Sequence, residues 1–545
     1  MSLPRLAWSP WTLAAALVTL VLWVPVLVIA RGVLAPAGEA WAHLVRTVLP
    51  GYVATSALLA FAAGLLALVV GVGTAWLVTA CAFPGRRLFS WALVLPLSVP
   101  AYVAAYTYAG MLDVAGPVQR VIRTLFPALA DRFLHIEVAG IVPAILIFAA
   151  TLYPYVYVAA RASFLRQSRT ALEASRVLGR SATGTFFRIA LPLARPALVA
   201  GVSLVVLEVL NDYGAVKYLG VTTFTTGIFR AWFSLGDLDA AIRLAAFLLL
   251  FVFAVLSLER MQRGRARVSP SSETQRPLEP YRLRGGAAAA AVVACAIPVL
   301  FGFAIPVAQL GYWAALTAHR VVDAEFVLLL ARSFALALGA AALAVLLALV
   351  IAYAARLART PLVRGLARVA VLGYAVPGAV VAVGVLVPLG ALDRALGGAV
   401  HALTGSAPGL IIGGTVVALI YAYAVRYLAV AYLPVEAGFE RECRGLDEAS
   451  RCLGVPPLAT LRRVGLPLLR GALAGALILV FVDVLRELPL TLVLRPFDFD
   501  TLATRAFQLA SDEQVAESAN AALVLIIAGI PAIIGANRLV GRRGV

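Results

Sequence analysis

The sequence predicts an all-α membrane protein with about twelve transmembrane helices, arranged as two homologous six-helix halves. Composition, the succession of apolar runs and an internal repeat lead to this prediction. Of the 545 residues, 62% are hydrophobic and 13% are charged, whereas an ordinary soluble domain has roughly 45–50% and about 25%. The composition therefore excludes a single soluble core.

Apolar runs long enough to span a membrane, at about 20 residues each, follow one another along the chain. The first run follows Arg5 and precedes further spans, so we expect an uncleaved signal-anchor. Pro100 and Pro377 lie inside runs and predict kinks. The predicted spans are 11–30, 51–79, 88–112, 138–160, 193–213, 241–258, 286–310, 327–355, 367–390, 409–433, 469–487 and 518–537.

The chain divides between the sixth and seventh runs. Residues 259–286 are polar and rich in Arg, Ser and Pro, without apolar periodicity. This composition predicts a flexible cytoplasmic linker. The first half is then 1–258 and the second is 287–545, each with six spans.

Basic residues are spread over the loops rather than gathered on one face. The formal charge is +18, from 45 Lys and Arg against 27 Asp and Glu, and Lys217 is the single lysine. Because positively charged loops stay in the cytoplasm, this spread is typical of topology signals and not of a nucleic-acid interface. We expect a multi-pass protein in the lipid bilayer of a bacterial inner membrane, with both termini cytoplasmic and no nucleic-acid partner.

The two halves repeat each other. Residues 172–192 align without gaps with residues 447–467, at an offset of 275, and ten of the 21 positions are identical. Each half has an even number of predicted spans, so both halves begin on the same side of the membrane. We therefore expect a parallel repeat about an axis along the membrane normal. The same offset relates charged residues further along the chain: Glu208 to Asp483, Asp212 to Glu487, Arg230 to Arg505 and Asp237 to Asp512.

The repeated loop reads Glu-Ala-Ser, three residues, Gly, nine residues, Ile or Val, one residue, Leu-Pro. It predicts a short helix ended by Gly179, which can adopt a positive φ, and then a second amphipathic segment stopped by Pro192. The second half repeats this pattern with Gly454 and Pro467. We therefore expect a helix–turn–helix in the cytoplasm in each half.

A charged stripe runs along the first helix of each loop. Arg169, Glu173 and Arg176 share one helix face. Arg444, Glu448 and Arg451 repeat the arrangement. A solvated face of intrahelical ion pairs would explain one stripe, but its preservation in both halves favours a functional role.

These loops resemble the EAA loop of binding-protein-dependent ABC importer permeases, whose pattern is E-A-A-x3-G-x9-I-x-L-P. The departures are Ser175 and Ser450 for the last alanine and Val464 for isoleucine. The resemblance implies the type I importer permease fold and a loop that docks as a coupling helix into a groove on the ATPase subunit. The coupling residues that it implies are Glu173, Ala174, Ser175, Gly179, Pro192, Glu448, Ala449, Ser450, Gly454 and Pro467.

Two outer segments, residues 224–237 and 486–513, are most similar to those of fused ferric-iron uptake permeases. This resemblance implies two cytoplasmic ATPase subunits and a periplasmic binding protein that delivers ferric iron. Thiamine or another small solute is the alternative substrate. An ion-coupled secondary carrier is the alternative from another class, but a carrier has no ATPase groove for the duplicated loop to fill.

No sequence pattern supports catalysis by this chain. A P-loop requires G-x-x-x-x-G-K-[ST], and Lys217 is followed by Tyr218. Ser-His-Asp, Cys-His and HExxH arrangements are also lacking in the sequence. We expect a transport permease without its own ATPase site, with no cofactor bound by this chain and ATP bound by the partner subunit.

Acidic residues near the ends of two spans are candidates for the translocation pathway. Because residues four apart share a helix face, each pair can present two carboxylates to one side, and charges within spans usually face a pathway or a partner. The alternative is a packing role, with the acids solvated or paired with arginine. The candidates are Glu208, Asp212, Asp483, Glu487 and Arg486.

The four histidines give no clear metal site. His43, His135, His319 and His401 are irregularly spaced in predicted outside loops. Fe³⁺ also prefers hard oxygen donors to imidazole. The metal ligands therefore stay unassigned.

Overall fold

The computed structural model describes residues 10–34, 39–125, 138–167, 175, 177, 179, 181–263, 280–358, 360–405, 409–443 and 445–541. The described part of the chain is almost entirely helical, as predicted. Apolar residues dominate the long helices, whose backbone groups are satisfied within each helix.

The helices of the first half, with one short strand, run in this order: α1 Pro10–Leu34, α2 Glu39–Thr47, α3 Leu49–Ala80, β1 Cys81–Ala82, α4 Arg86–Ala92, α5 Ala101–Leu112, α6 Pro117–Leu125, α7 Ile141–Arg166, α8 Ala182–Thr185, α9 Leu191–Asn211, α10 Gly214–Tyr218, α11 Phe224–Phe229 and α12 Leu238–Arg263. A 3₁₀ turn covers Leu95–Ser98, and π-helical turns cover Phe186–Ala190 and Arg230–Ser234.

The second half follows the same plan: β2 Tyr281–Arg282, α13 Gly286–Val299, α14 Ile305–Val321, α15 Ala324–Ala358, α16 Pro361–Val371, α17 Gly378–Thr404, α18 Val416–Glu442, α19 Leu446–Cys452, α20 Pro457–Thr460, α21 Leu466–Leu485, α22 Pro489–Leu494, α23 Leu502–Ser511 and α24 Val515–Gly541. Its π-helical turns are Leu300–Ala304 and Leu461–Gly465, and its 3₁₀ turn is Leu372–Ala375.

The number of spans agrees with the prediction. Within the described residues, eleven helices are long and apolar enough to cross a membrane, and twelve spans result if one bent pair counts as a single span. The bent pair joins residues 86–98 to residues 101–125 at an angle of 90°.

Two predicted spans are wrong as continuous helices. The run 88–112 is broken before α5, where Pro100 has φ −59° and ψ 141°. The run 367–390 is broken before α17, where Pro377 has φ −55° and ψ 142°. Proline lacks an amide hydrogen and disfavours helix in the preceding residue, so in both places a short helix and a 3₁₀ turn precede a new helix.

The helices form two compact units that do not follow chain order. One unit contains residues 1–36, 231–249 and 324–504, and the other contains residues 37–230, 250–323 and 505–545. The helix α12 passes from the first of these units to the second. The division into halves at 1–258 and 287–545 describes the sequence repeat and stays a prediction.

In the unit that holds most of the second half, α1 packs on α15, α16 and α17. Trp23 Nε1 donates to the carbonyl of Val369 over 2.8 Å. Tyr421 donates its hydroxyl to the carbonyl of Val21 over 2.6 Å. Ala15 and Ala354 are fully buried in one apolar cluster. The first helix of the chain is therefore part of this unit's core.

In the other unit, α14 packs on α24. Thr317 donates its hydroxyl to the carbonyl of Ala516 over 3.3 Å. Asn520 donates from Nδ2 to Thr317 Oγ1 over 2.8 Å. The first membrane helix of the second half and the last helix of the chain thus belong with most of the first half.

The predicted linker is partly ordered at its ends. Helix α12 continues through Glu259 to Arg263, and α13 begins at Gly286. Strands β1 and β2 pair in parallel, and the amide of Leu283 donates to the carbonyl of Ala82 over 3.0 Å. The predicted flexible segment 259–286 is therefore too long at both ends. Helix α12 extends into its start, and backbone pairing fixes residues 281–283 near its end. Residues 264–279 lie outside the described part.

Candidate functional site: the repeated loops and the acidic helix ends

Both repeated loops turn at a glycine with positive φ, as predicted. Gly179 has φ 74° and Gly454 has φ 71°. In the second loop the amide of Val455 donates to the carbonyl of Ser450 over 3.1 Å. This bond, around a left-handed glycine, is the Schellman arrangement that ends a helix. Glycine is needed here because a side chain would strain a left-handed residue.

The segment after the turn continues into a membrane helix, so the predicted stop at Pro192 is wrong. Residues 182–211 form one apolar helical span. The amide of Leu191 donates to the carbonyl of Phe186, five residues earlier. This wider π-helical turn shifts the hydrogen-bond register just before the proline, and Pro192 then lies in the first turn of α9, where it needs no amide partner.

The second half repeats this geometry at the same offset. Helices α8 and α20, the two π-helical turns after them, and the first residues of α9 and α21 are all 275 residues apart. Pro467 occupies the first turn of α21, as Pro192 does in α9. The repeat found in the sequence is therefore also a repeat of backbone geometry.

A pair of hydroxyl groups joins the two arms of each loop. Ser175 Oγ and Thr185 Oγ1 are 2.9 Å apart. Ser450 Oγ and Thr460 Oγ1 are 2.6 Å apart. The serines are the positions where the chain departs from the third residue of the Glu-Ala-Ala pattern. This departure adds a hydrogen bond that alanine cannot make and that the spacing of the loop pattern does not reveal.

Helix α19 exposes the predicted coupling residues of the second half. Glu448 and Ala449 are exposed on it. Leu453, which follows, is 81% exposed, and Val177 of the first loop is 87% exposed. Apolar groups exposed beside a carboxylate suit contact with a protein partner. Glu173 and Ala174 lie outside the described residues, as do the side chains of Arg169, Arg176, Arg444 and Arg451.

The predicted one-turn spacing of Glu208 and Asp212 holds, although α9 ends at Asn211. The amide of Asp212 still donates to the carbonyl of Glu208 over 3.0 Å, and only the chain after Asp212 turns away, with ψ 137°. Asp212 Oδ1 accepts the amides of Ala215 over 2.8 Å and Val216 over 3.3 Å. Asp212 therefore caps the start of α10, where free amides need an acceptor.

Glu487 has the same capping role in the second half. Its Oε1 accepts the amide of Leu490 over 3.1 Å, and its Oε2 accepts the amide of Thr491 over 3.1 Å. The hydroxyl of Thr491 also donates to Oε2 over 3.1 Å. Helix α21 ends at Leu485, so this acid also lies beyond the helix that carries Asp483.

Arginines accompany both acids of the second half. Arg426 Nη1 lies 3.7 Å from Glu487 Oε1, and the Glu487 side chain is 1% exposed. Arg486 donates to Asp483 Oδ1 over 3.1 Å, and these two side chains are 22% and 31% exposed. The pairing of Asp483 with Arg486 agrees with the packing alternative. Arg426 was missed as a partner, although an arginine within an apolar span is itself a signal.

A glycine makes room for the buried pair. A Cβ added at Gly378 would lie 2.1 Å from Arg426 Nη1 and 2.7 Å from Glu487 Oε1. The positions 275 residues before Arg426 and Arg486 are Thr151 and Asn211, which carry no charge. The acidic ends of the two halves are thus chemically different.

The outer segments keep the repeat but shift its register. Thr226 caps the amide of Thr223, and Thr504 caps the amide of Thr501, an offset of 278. The predicted equivalence of Arg230 with Arg505 is therefore wrong, and the same shift separates Asp237 from Asp512. The physical reason is a longer turn in the second half, residues 495–500, which the Arg495–Asp500 ion pair closes.

No group of three or more His, Cys, Asp and Glu residues able to hold a metal ion occurs within the described ranges. Three of the histidines lie on separate helices, α2, α14 and α17, and His135 lies outside the described residues. The candidate site consists of the repeated loops and the acidic helix ends.

Substituting Glu487 by glutamine should lower the stability of the protein by about 3 kcal/mol, because Arg426 would lose its buried counterion. Thermal unfolding of the purified protein in detergent measures this. Asp483→Asn is the matched control, since its ion pair is more exposed and should matter by less than about 1 kcal/mol. Adding Arg426→Met to Glu487→Gln should restore part of the loss. Equal effects of the two acid substitutions would contradict the buried-pair interpretation.

Comparison with known proteins agrees with the loop pattern. A family model described as "Binding-protein-dependent transport system inner membrane component" matches residues 344–543. The chain is 27% identical over 479 residues to the Fe(3+)-transport system permease protein FbpB 2 of Haemophilus influenzae, covering 86% of this chain and 87% of that protein.

Other relatives carry different names. The probable ABC transporter permease protein y4fN of Sinorhizobium fredii is 26% identical over 431 residues, covering 75% of this chain and 73% of that protein. The sulfate transport system permease protein CysT of Salmonella typhimurium is 30% identical over 162 residues, which is 30% of this chain and 56% of that protein. Taken with the two repeated loops and the apolar helices, these similarities indicate a multi-pass inner-membrane protein that is similar to ABC importer permeases over most of its length and matches the family model of binding-protein-dependent inner-membrane components over residues 344–543.

Proposed function

We propose that this permease carries ferric iron across the inner membrane. The observation that supports this substrate is the similarity to a ferric-iron permease over both halves of the chain, 86% of its length. The sulfate permease covers only 30%. An oxyanion is the second candidate substrate, because that shorter similarity has a slightly higher identity.

The candidate pathway residues favour a cation. They comprise four carboxylates, on Glu208, Asp212, Asp483 and Glu487, and one guanidinium, on Arg486. Carboxylate oxygens are hard donors suited to Fe³⁺. We assign transient contact with the cation to Glu208, which lies one turn before Asp212.

The substrate is tested by uptake in proteoliposomes that contain this chain, its ATPase and a loaded binding protein. We expect ATP-dependent entry of radioactive ferric iron, and little entry of sulfate. Glu208→Gln should lower the iron uptake several-fold, because it removes one carboxylate from the path. Entry of sulfate without entry of iron would favour the oxyanion candidate and reject ferric iron.

The energy for transport comes, in this proposal, from partner subunits. We propose two cytoplasmic ATPase subunits, which bind ATP and receive the two repeated loops, and one periplasmic binding protein. The lack of a P-loop around Lys217 supports a separate ATPase. ATP-driven closure of the two ATPase subunits would bring the loops together and change the side on which the pathway opens.

Reversing Glu173 and Glu448 to arginine should uncouple uptake from ATP hydrolysis, because each substitution replaces the only carboxylate of a charged stripe. Insertion into the membrane should be unaffected. Co-purification of the ATPase and uptake by vesicles are the two measurements. Normal uptake by the double variant would show that these carboxylates have no coupling role.

The proposed orientation places both termini and both repeated loops in the cytoplasm. The distribution of arginine supports it. Cys452 offers a natural reporter, because among the four free cysteines it is the exposed one, while Cys81, Cys295 and Cys443 are buried.

We expect Cys452 to resist a membrane-impermeant maleimide in intact spheroplasts and to react after lysis. A cysteine at position 497, where Phe497 is 97% exposed, should react without lysis. The Cys452→Ser variant is the background control. Labelling of Cys452 in intact spheroplasts would reverse the proposed orientation.

A further inference from the structure

We infer that Arg356 and Tyr353 form a clamp that ties the coupling loop of the second half to helix α15, so that this loop and the helix move together. We call these two residues the α15 clamp. The inference rests on the coupling role proposed above and adds the residues that pass the movement from the loop into the membrane helices. All of its contacts lie within one compact unit.

Arg356 binds the start of the loop through three acceptors. It forms an ion pair with Asp447 in the first turn of α19. It also donates to the carbonyl of Phe439 over 3.0 Å and to the carbonyl of Cys443. These carbonyls lie at the carboxyl end of α18, where the helix dipole favours a cation. One guanidinium thus joins α15 to both α18 and α19.

The charged contact is largely shielded from water. The side chains of Arg356 and Asp447 are 20% and 16% exposed. The guanidinium also lies over the ring of Phe439, 5.7 Å from its centroid. A planar, forked donor is well suited to such a site, because lysine cannot reach three acceptors in fixed directions.

Tyr353 binds the other arm of the loop. Its hydroxyl donates to the carbonyl of Pro457, the first residue of α20, over 2.7 Å. Its ring stacks on Phe439 at 5.8 Å and contacts Trp11 edge-on at 5.0 Å. Tyr353 and Arg356 are three residues apart and therefore share a face of α15. The same helix face holds both ends of the loop.

Ser450 and Thr460 complete the connection between the arms. Their hydrogen bond joins α19 to α20 from within the loop. The loop is therefore fixed to α15 at its start and at its second arm, and it is closed across its middle. A displacement of α19 by a partner protein would be passed to α15, a helix of 35 residues.

The first half lacks the residues of this clamp. The breaks at Pro100 and Pro377 relate α3 to α15 at an offset of 277, so the equivalents of Tyr353 and Arg356 are Trp76 and Thr79. At the loop offset of 275, the equivalent of Asp447 is Leu172, and none of these three residue types carries a charge. The hydroxyl pair and the aromatic contact are common to both halves, since Trp76 packs on Phe164 as Tyr353 packs on Phe439, whereas the contacts of Arg356 belong to the second half. We infer that the two loops transmit movement unequally.

The clamp is tested first without partners, by the mobility of a nitroxide spin label on Cys452 in the full chain in nanodiscs. Arg356→Gln should broaden the motion of the label clearly, because it removes the ion pair and the carbonyl contacts. Tyr353→Phe should do so to a smaller extent, because it removes only the bond to Pro457. Tyr432→Phe is the matched control, since that hydroxyl donates within α18 to Glu436. Unchanged mobility in both clamp variants would overturn the inference.

The second measurement is the number of ATP molecules hydrolysed per ion imported by the reconstituted complex. We expect this ratio to rise about 3-fold or more in Tyr353→Phe, with unchanged ATPase binding and unchanged basal hydrolysis. Arg356→Lys keeps the positive charge and should therefore retain part of the coupling that Arg356→Gln loses. Loss of assembly and basal hydrolysis in step with uptake would indicate a structural role alone and would also overturn the inference.

The two proposals fail in different ways. If the unaltered chain does not bind an ATPase, or if the complex shows no uptake driven by ATP hydrolysis, the proposed function fails. The mobility of the spin label still decides whether the clamp holds the loop. If the unaltered complex is coupled and Tyr353→Phe and Arg356→Gln remain equally coupled, the clamp fails and the proposed function stands.

Discussion

Satisfying backbone groups where apolar helices stop is the constraint on which this structure depends. In a membrane interior, an amide or carbonyl without a partner is costly, so every break in a spanning helix needs an acceptor or donor nearby. Asp212 and Glu487 supply acceptors for the amides of α10 and α22. Arg356 supplies donors for the carbonyls at the end of α18. Asp212, Glu487 and Arg356 are therefore charged residues whose positions are explained by helix ends.

This constraint explains why carboxylates occupy equivalent positions in both halves without forming equivalent sites. Each acid caps a short helix, which preserves the fold of both repeats. The second half adds Arg426 beside its capping acid, and Gly378 leaves space for the guanidinium. A duplicated scaffold has thus acquired different charge patterns at its two acidic ends.

Periodicity and composition were sufficient to predict the number of spans, the helical class and the repeat. The left-handed glycines at positions 179 and 454 also followed from the loop pattern, because few other residues accept that backbone. The effect of Pro192 could not be predicted in this way. A π-helical turn before the proline lets the helix continue, and nothing in the residue types of 186–190 signals such a turn.

The sequence predicted where the candidate site lies better than it predicted which side chains contact each other there. Spacing identified the repeated loops, but the hydroxyl pairs and the clamp depend on which side chains meet across the fold. The acidic pairs show the limit most clearly. A spacing of four implies a common face only while the helical hydrogen bonds continue. The amide of Asp212 still donates to the carbonyl of Glu208, whereas the amide of Glu487 donates to Val484, three residues earlier. The shift at residues 495–500 was hidden for a similar reason, since charge matches alone do not fix register.

The placement of the first membrane helices has a consequence for how such a protein can be assembled. Helix α1 is part of the core of the unit that contains most of the second half, and α14 packs within the unit that contains most of the first. Neither half of the gene product therefore carries a complete core of its own. A half made alone would leave uncovered the surface that its exchanged helix normally occupies. Joining both halves in one chain supplies each core with its missing helix in a ratio of one to one, and it prevents two like halves from pairing in place of the unlike pair.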